Sequence, residues 1–357
     1  MTPNQVAIIG TGVGIRTHLP AITANDKFEV LGVVGSTTQR AAEHLSAAGY
    51  TPELAATLPD LLADHPDLVC LTTSPGQRLD IASRLECLGP SAVVLVEKPL
   101  GATSEQAADV LAALGSTRIV MDFQLRALPA FVKIRRAVTA GLLGTVYDMS
   151  LMERTSAFRT TSLPPWQQAR SAGGGQALAM GSHLLDLGVF LSGSDNYDSW
   201  RVDHGRISRP AGTWTGAATV AASDLADETF TGELQRDATR MRIFTTCISP
   251  AERSLEVRLE GTEGTAEFTH RDGRGRLVIT DATGGAAEWI MTETGDLIDG
   301  PGPDITGPSS AFRVAYPEYL AAIGAYFDTG ALGLLASGTD GLANARLLDQ
   351  MTAQGIV

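Results

Sequence analysis

The sequence predicts an α/β protein in two parts: a doubly wound parallel sheet over residues 1–124, then an α+β domain with an open, mainly antiparallel sheet over residues 125–357. Three observations carry this expectation. Short apolar runs alternate with amphipathic stretches through the first part, the pattern of strands joined by crossover helices. A glycine-rich turn follows the first of those runs directly. Beyond about residue 125 the texture changes to a few helices and a long series of strand-like segments separated by turn residues. A chain of 357 residues is also too long for one ordinary core and suits two.

The expected strands of the first part are Val6 to Ile9, Val30 to Val34, Leu68 to Thr72, Ala92 to Val96 and Ile119 to Phe123. Amphipathic stretches near Arg16 to Thr23, Gln39 to Ala48, Arg78 to Leu88 and Ser104 to Leu114 are the helices between them. The second part begins with a helix over Pro129 to Ala140, a strand near Val146 to Met152 and a long helix from about Gln176 to Leu191. Strands separated by turns such as Gly261-Thr262-Glu263-Gly264 and Asp272-Gly273 fill Arg201 to Ala282. Gly295 to Ser310, rich in glycine and proline, is expected as a surface loop. Helices near Ala311 to Tyr326 and Thr339 to Ala353 close the chain, the last expected to pack back on the first domain. No internal repeat is visible.

Composition narrows the function. A net charge of −13 opposes nucleic acid and anionic membranes as partners, since long-range repulsion works against the encounter. No apolar run approaches transmembrane length, and Met1-Thr2-Pro3-Asn4-Gln5 lacks the features of a signal peptide, so a cytoplasmic location is expected. Cys70, Cys87 and Cys247 are an odd count without close spacing. They read as reduced core thiols, implying neither a disulfide nor a metal site.

Three segments carry chemistry. Gly10-Thr11-Gly12-Val13-Gly14-Ile15 opens a helix after the first strand, where glycines let the backbone approach a pyrophosphate. The fingerprint is imperfect: the third small residue is wanted at Ile15, and Gly14 comes one place early. At the end of the second strand, where an NAD enzyme places an acid, stands Gly35. Ser36, Thr37 and Arg40 follow and offer hydroxyls and a guanidinium to a 2′-phosphate, which favours NADP(H) with NAD(H) as the alternative. The same residues also suit a helix cap with Arg40 on a solvated face.

Val96-Glu97-Lys98-Pro99-Leu100 places a lysine at the carboxyl end of an apolar strand, where parallel sheets carry ligands. Pro99 keeps Lys98 out of the helical region, so its ammonium is aimed in a fixed direction. Taken by itself it reads first as a surface lysine opening a loop, since most lysines are exposed. Gly173-Gly174-Gly175-Gln176 then opens the long helix that bears His183 and, three residues on, Asp186. A histidine inside a helix is ordinarily structural.

Together the glycine turn, Glu97-Lys98-Pro99 and the triple-glycine helix bearing His183 resemble the Gfo/Idh/MocA oxidoreductases. His18-Leu19-Pro20-Ala21, Gln124-Leu125-Arg126 with Pro129, Gly141-Leu142-Leu143-Gly144, Trp166, Gly261-Thr262-Glu263-Gly264 and Asp340-Gly341 agree, so the resemblance covers essentially the whole chain. It implies a Rossmann domain joined to an open-faced α/β domain, with nicotinamide and a sugar-like substrate meeting in a cleft. It further implies cofactor contacts from Gly10, Thr11, Gly12, Val13, Gly14, Ile15, Ser36, Thr37, Arg40, Thr73, Pro75, Glu97 and Lys98.

Lys98 would bind the reacting oxygen and stabilise a developing alkoxide, with His183 as acid/base. Arg126, Arg154, Trp166, Arg170 and Gln176 would line the substrate site, although packing or a surface ion pair accounts for each equally well. Family members assemble as homo-oligomers, dimers or tetramers, through the open sheet face. One departure weighs most: relatives acting on sugar alcohols carry aspartate four residues before the histidine, and this chain has Ala179. Leu79 likewise stands where relatives commonly have histidine. The resemblance thus implies an NAD(P)-dependent enzyme interconverting a secondary alcohol and ketone on a sugar, cyclitol or nucleotide-sugar. Ala179 keeps open a cofactor-binding regulator, since the family includes a fungal transcriptional co-repressor, and a redox-assisted glycosidase.

Overall fold

The computed structural model describes residues 2–156, 164–208, 220–250, 253–271, 273–292, 294–299 and 311–353. The chain divides into two compact units, one of Met1–Phe123 with Tyr316–Leu342 and one of Gln124–Ala315 with Ala343–Val357.

The first unit is built on parallel strands β1 (Asn4–Ile9), β2 (Phe28–Val34), β3 (Leu68–Leu71), β4 (Val93–Val96) and β5 (Arg118–Met121). A short strand, β15 (Ala336–Ser337), joins antiparallel at the β5 edge, giving the order β15-β5-β4-β3-β1-β2. Every residue of β3 and β4 is buried, which explains their unbroken apolar sequence. The crossovers are α1 (Leu19–Thr23), α2 (Thr38–Ala47), α3 (Leu58–Ala63), α4 (Pro75–Ser83) and α5 (Ser104–Leu114). Thr37, Thr57 and Thr103 cap α2, α3 and α5, each hydroxyl accepting from the backbone N–H three residues on.

Two expectations need correction here. The fourth crossover helix starts at Pro75, whose fixed φ suits a first helical position, and stops at Ser83 instead of running to Leu88. Cys87 consequently lies past the helix and is exposed, whereas Cys70 and Cys247 are buried as expected.

The second unit holds a nine-stranded sheet in the order β14-β13-β12-β11-β10-β6-β9-β8-β7. Its strands are β6 (Val146–Arg154), β7 (Arg201–Ser208), β8 (Thr229–Arg236), β9 (Thr239–Thr246), β10 (Ser254–Gly261), β11 (Gly264–Arg271), β12 (Arg274–Asp281), β13 (Ala286–Met291) and β14 (Leu297–Asp299). Among the described residues of this sheet, only β6 and β9 pair in parallel. The expected loop from Gly295 is corrected in part: Leu297–Asp299 forms β14, its register against β13 fixed by the turn in which the Thr292 N–H donates to Asp296. Residues 300–310 of that expectation lie outside the described residues. Its helices are α6 (Pro129–Thr139), α7 (Pro165–Gln168) and α8 (Ser182–Leu191), while α9 (Ala311–Thr329) and α10 (Gly338–Ala353) each include residues of both units. Among the described residues no helix is long and apolar enough to cross a membrane.

All ten residues of α8 are buried. Its Gly188 lets the helix lie close on the sheet, since a Cβ there would come within 2.5 Å of Met241 and 3.3 Å of Leu151. The same helix buries a charge. Asp186 receives Arg126 Nε at 2.9 and 3.1 Å and Nη2 at 2.6 Å, and the Tyr197 hydroxyl donates to it at 2.5 Å. Both ion-pair partners are almost wholly out of water. A buried pair adds little net stability, but removing one member strands the other. Asp186→Ala is therefore expected to cost about 3 to 5 kcal/mol, read as a lowered urea midpoint with unchanged slope. Asp195→Ala, which removes a half-exposed partner of Arg135, is expected to cost less than about 1 kcal/mol.

Candidate functional site

The glycine turn divides its labour among three residues. Gly10 has φ +120°, and a Cβ there would lie 2.5 Å from the Thr72 hydroxyl. Gly14 packs as tightly, its Cβ position 2.7 Å from Thr72 Oγ1 and 2.8 Å from Ile8. Gly12, between them, faces open space. That combination meets the three glycine requirements of a dinucleotide turn: a tight bend, an open backbone for the pyrophosphate, and close helix–strand contact. The last falls to Gly14, which is how the chain does without a small residue at position 15. Ile15 is buried instead, in a π-helical turn over Gly14–His18 that adds the extra residue before α1. Thr11 Oγ1 meets His44 Nδ1 of α2 at 2.8 Å, a contact the sequence reading did not include.

Beyond β2, Ser36, Thr37 and Arg40 are all exposed, with Thr37 as the α2 cap. The cap reading therefore holds, and it leaves Ser36 and the Arg40 guanidinium open to a ligand. Beyond β3, Thr73 Oγ1 is buried with no hydrogen-bond partner among the described residues, and Pro75 starts α4. A buried hydroxyl without a partner is costly unless a bound group supplies one. These features fit a dinucleotide.

Lys98 follows β4 and is half-buried, ahead of a cis Lys98-Pro99 bond. Arg78 of α4, itself buried, donates to the Pro99 carbonyl and, at 2.7 Å, to the Thr73 carbonyl, and so ties the loops after β3 and β4 together. Burial brings its guanidinium down to about 10, against the pull of Glu97. A cation in the first turn of a helix works against the helix dipole, and that was the available signal for Arg78.

Glu97 is buried against His18, whose Nε2 lies 3.1 Å from Glu97 Oε1 and 3.3 Å from Asp122 Oδ2. The other ring nitrogen is 2.5 Å from the Tyr316 hydroxyl. Burial opposes charge on His18, but Asp122, Cys70 and Glu97 overcome it and raise the imidazole well above its ordinary range. Glu97 is lowered despite its burial, chiefly by His18. The sign of this cluster in the sequence was an acid, Asp122, interrupting the apolar run Ile119 to Phe123.

In the second unit the triple glycine positions the helix that bears His183. Gly175 has φ +104°, and a Cβ on it would fall 2.2 Å from Asp227 Oδ1. Asp227 in turn accepts the Ala177 N–H at 2.8 Å, placing a carboxylate at the start of the helix. Burial pushes that carboxyl up to about 6. The helix opens as a π turn over Ala177–Gly181 before α8 begins at Ser182. The spacing of Ala179 and His183 therefore departs from an ordinary helical face, and π turns recur at functional sites. His183 is 3% exposed, and its ring centroid lies 4.9 Å from that of Phe312.

The expected substrate residues are scattered. Gln176 is buried and donates to Thr245 Oγ1 at 2.6 Å and to Glu153 at 3.4 Å, tying the helix start to the sheet. Arg126 is engaged by Asp186. Arg154 alternates with Glu153 along β6, so it lies on the opposite sheet face from α8. There it pairs with Glu256 at 3.2 Å and covers the Phe244 ring. Trp166 is 36% exposed on α7, and Arg170 is half-buried and acts on Asp227. Leu79 is exposed.

Comparison with known proteins agrees with this architecture. Residues 4–121 match the oxidoreductase family with an NAD-binding Rossmann fold, and residues 131–267 match the Gfo/Idh/MocA C-terminal domain. The rhizopine catabolism protein MocA of Rhizobium meliloti is 28% identical over 199 residues, 55% of this chain and 59% of that protein. The match thus spans little more than half the length of that relative. Levoglucosan dehydrogenase, solved with NADH and levoglucosan, superposes with a TM-score of 0.75 at 18% identity, over 98% of this chain and 97% of that one. A 3-ketoreductase from Actinomadura kijaniata, solved with NADP and TDP-benzene, does so with a TM-score of 0.71 at 15% identity, over 99% and 98%. At such identities the two structures speak for the fold. With both of its domain models matched along the chain, the protein belongs to the Gfo/Idh/MocA oxidoreductase family.

Proposed function

We propose that this protein is an NADP(H)-preferring oxidoreductase that interconverts a secondary alcohol and a ketone on a sugar, cyclitol or nucleotide-sugar. The observation that carries the reading is the turn in which Gly10 and Gly14 are sterically required and Gly12 stands open, because only a ligand makes use of that opening. Gly10 to Ile15, Thr73, Pro75, Glu97 and Lys98 would hold the dinucleotide, with Ser36, Thr37 and Arg40 around a 2′-phosphate. The bound nicotinamide supplies a hydride acceptor or donor. The sugar-like substrate is supported by the names of the two dehydrogenase and reductase structures above.

Lys98 would hold the reacting oxygen with its ammonium and stabilise negative charge there. His183 would take the hydroxyl proton in oxidation and return it in reduction, as an imidazole near working pH can. Exposed Trp166, half-buried Arg170, and Gln176, whose buried Oε1 has no partner among the described residues, remain the candidate substrate contacts. Ala179 supplies no carboxylate to orient His183, which supports a second reading as a dinucleotide-binding regulator. Residence in the cytoplasm and homo-oligomeric assembly complete the proposal.

Titration of the wild type with each dinucleotide is expected to give a lower dissociation constant for NADPH than for NADH, and tighter NADH binding would defeat the preference. Gly12→Ala is expected to leave stability within about 0.5 kcal/mol while weakening both dinucleotides, since its Cβ enters only the ligand's space. Lys98→Ala and His183→Ala, assayed for cofactor turnover across a sugar panel, are each expected to lose on the order of 10²- to 10⁴-fold in kcat. A wild type that binds dinucleotide yet turns over nothing in either direction would replace the enzyme with the regulator.

A further inference from the structure

The proposed chemistry makes no use of Asp122 or of its pairing with Glu97 beneath the lysine turn. Asp122, just after β5, is fully out of water, and its oxygens meet no well-formed hydrogen bond among the described residues. His18 Nε2 lies 3.3 Å from Asp122 Oδ2, and that nitrogen is already 3.1 Å from Glu97 Oε1. One ligand atom from each of the three residues lies within 4.8 Å of the other two. One N–H cannot serve two carboxylates fully, and two carboxylates this close in a dry site cannot both stay charged without large repulsion.

The other groups around the pair favour charge on Glu97 and leave Asp122 unrelieved. Cys70 on β3 and Tyr316 on α9 are held neutral, each pushed upward first by burial. Tyr319 donates its hydroxyl to the Met121 carbonyl. Arg78 from α4 and Lys98 act on Glu97, and His18 is the cation that faces both acids.

We infer that Asp122 and Glu97 share one proton beneath a charged His18, and that this proton fixes the Glu97-Lys98 turn, so that Asp122 and His18 are positioning residues for Lys98. The inference rests on the reading of Lys98 as the oxygen-binding cation. With the proton present, the pair carries one negative charge against one imidazolium. Without it, the pair carries two, and repulsion moves Glu97 and the adjoining Lys98 together.

The expected titration follows the same logic. Burial and then the charge of Glu97 push Asp122 up to about 7. The fold keeps this proton where the unfolded chain has lost it, so its contribution to stability falls as pH rises from about 4 through about 7. His18, raised as well, has the same sign: its contribution is present below about 6.5 and is lost as pH passes its folded value. Glu97, lowered, acts oppositely and only on the acid side.

Infrared difference spectroscopy across pH tests the shared proton without any need for turnover. The wild type is expected to show a buried carboxylic-acid carbonyl band that disappears with a midpoint near pH 7 and is absent from Asp122→Asn. Asp227, at about 6, titrates separately and serves as the internal control. In parallel, wild-type affinity for NADPH is expected to weaken by roughly threefold or more from about pH 6 to about pH 8, with Asp122→Asn flat over that range.

A purely structural Asp122 would shift affinity equally at every pH. No band near 7 that Asp122→Asn removes, or a stoichiometric metal ion in its place, would overturn the shared proton. Parallel affinity curves would overturn the positioning role. If Asp122→Asn does not fold, Glu97→Gln, by removing the charge that holds the proton, must lower the wild-type midpoint by about one pH unit or more. Failure to bind any dinucleotide would defeat the functional reading and the positioning role with it, while the infrared result still decides the shared proton.

Discussion

His18 has no contact with water, and each of its ring nitrogens meets a group from a different part of the first unit. Nδ1 faces the Tyr316 hydroxyl of α9, while Nε2 faces Glu97 beyond β4 and Asp122 beyond β5. His18 itself ends the π turn that begins at Gly14. One imidazole thus fixes the glycine turn, the lysine turn and the end of β5 to one another. Arg78 adds the loop after β3 by holding the Thr73 and Pro99 carbonyls. Parallel strands gather their loops at one end, but the loops still need to be locked at defined separations, and here buried charge does the locking.

The second unit uses charge in the same way around α8. Arg126 with Asp186 on one side, and Gln176 with Thr245 and Glu153 on the other, anchor the helix and its glycine-rich start. Arg253 completes the second group by donating to Glu153 at 3.1 Å. Arg126 and Glu153 are employed in this way and have little left to offer a ligand, whereas Gln176 Oε1 is buried without a hydrogen-bond partner among the described residues. The polar residues that a reader of the sequence assigns to substrate are in several cases the ones that hold the scaffold rigid, as a preorganised site requires.

The Rossmann-type architecture and the three chemical segments were legible because each depends on local pattern. Unbroken apolar runs mark β3 and β4, and glycines at 10, 12 and 14 mark a turn whatever surrounds it. The buried ion pair of Asp186 was not legible in this way, since its partners Arg126 and Tyr197 lie 60 and 11 residues away. Arg154 was beyond reach for a different reason: strand alternation says that it and Glu153 face opposite ways, but not which face α8 covers. The end of α4 and the exposure of Cys87 turned on helix boundaries, which pattern fixes poorly.

By itself the sequence determined the fold class, the glycine turn, the place of Lys98 at a strand end and the place of His183 in a helix, since these follow from periodicity and backbone sterics among near neighbours. Only the tertiary structure decided that Gly14 takes the third glycine role, that Thr73 keeps a buried hydroxyl without a partner among the described residues, and that Glu97 answers to His18 and Asp122. Those outcomes depend on burial and on contacts across as many as 298 residues of sequence. The strength of a charge or of an unmet hydrogen bond is set by the water around it, and the fold alone removes that water.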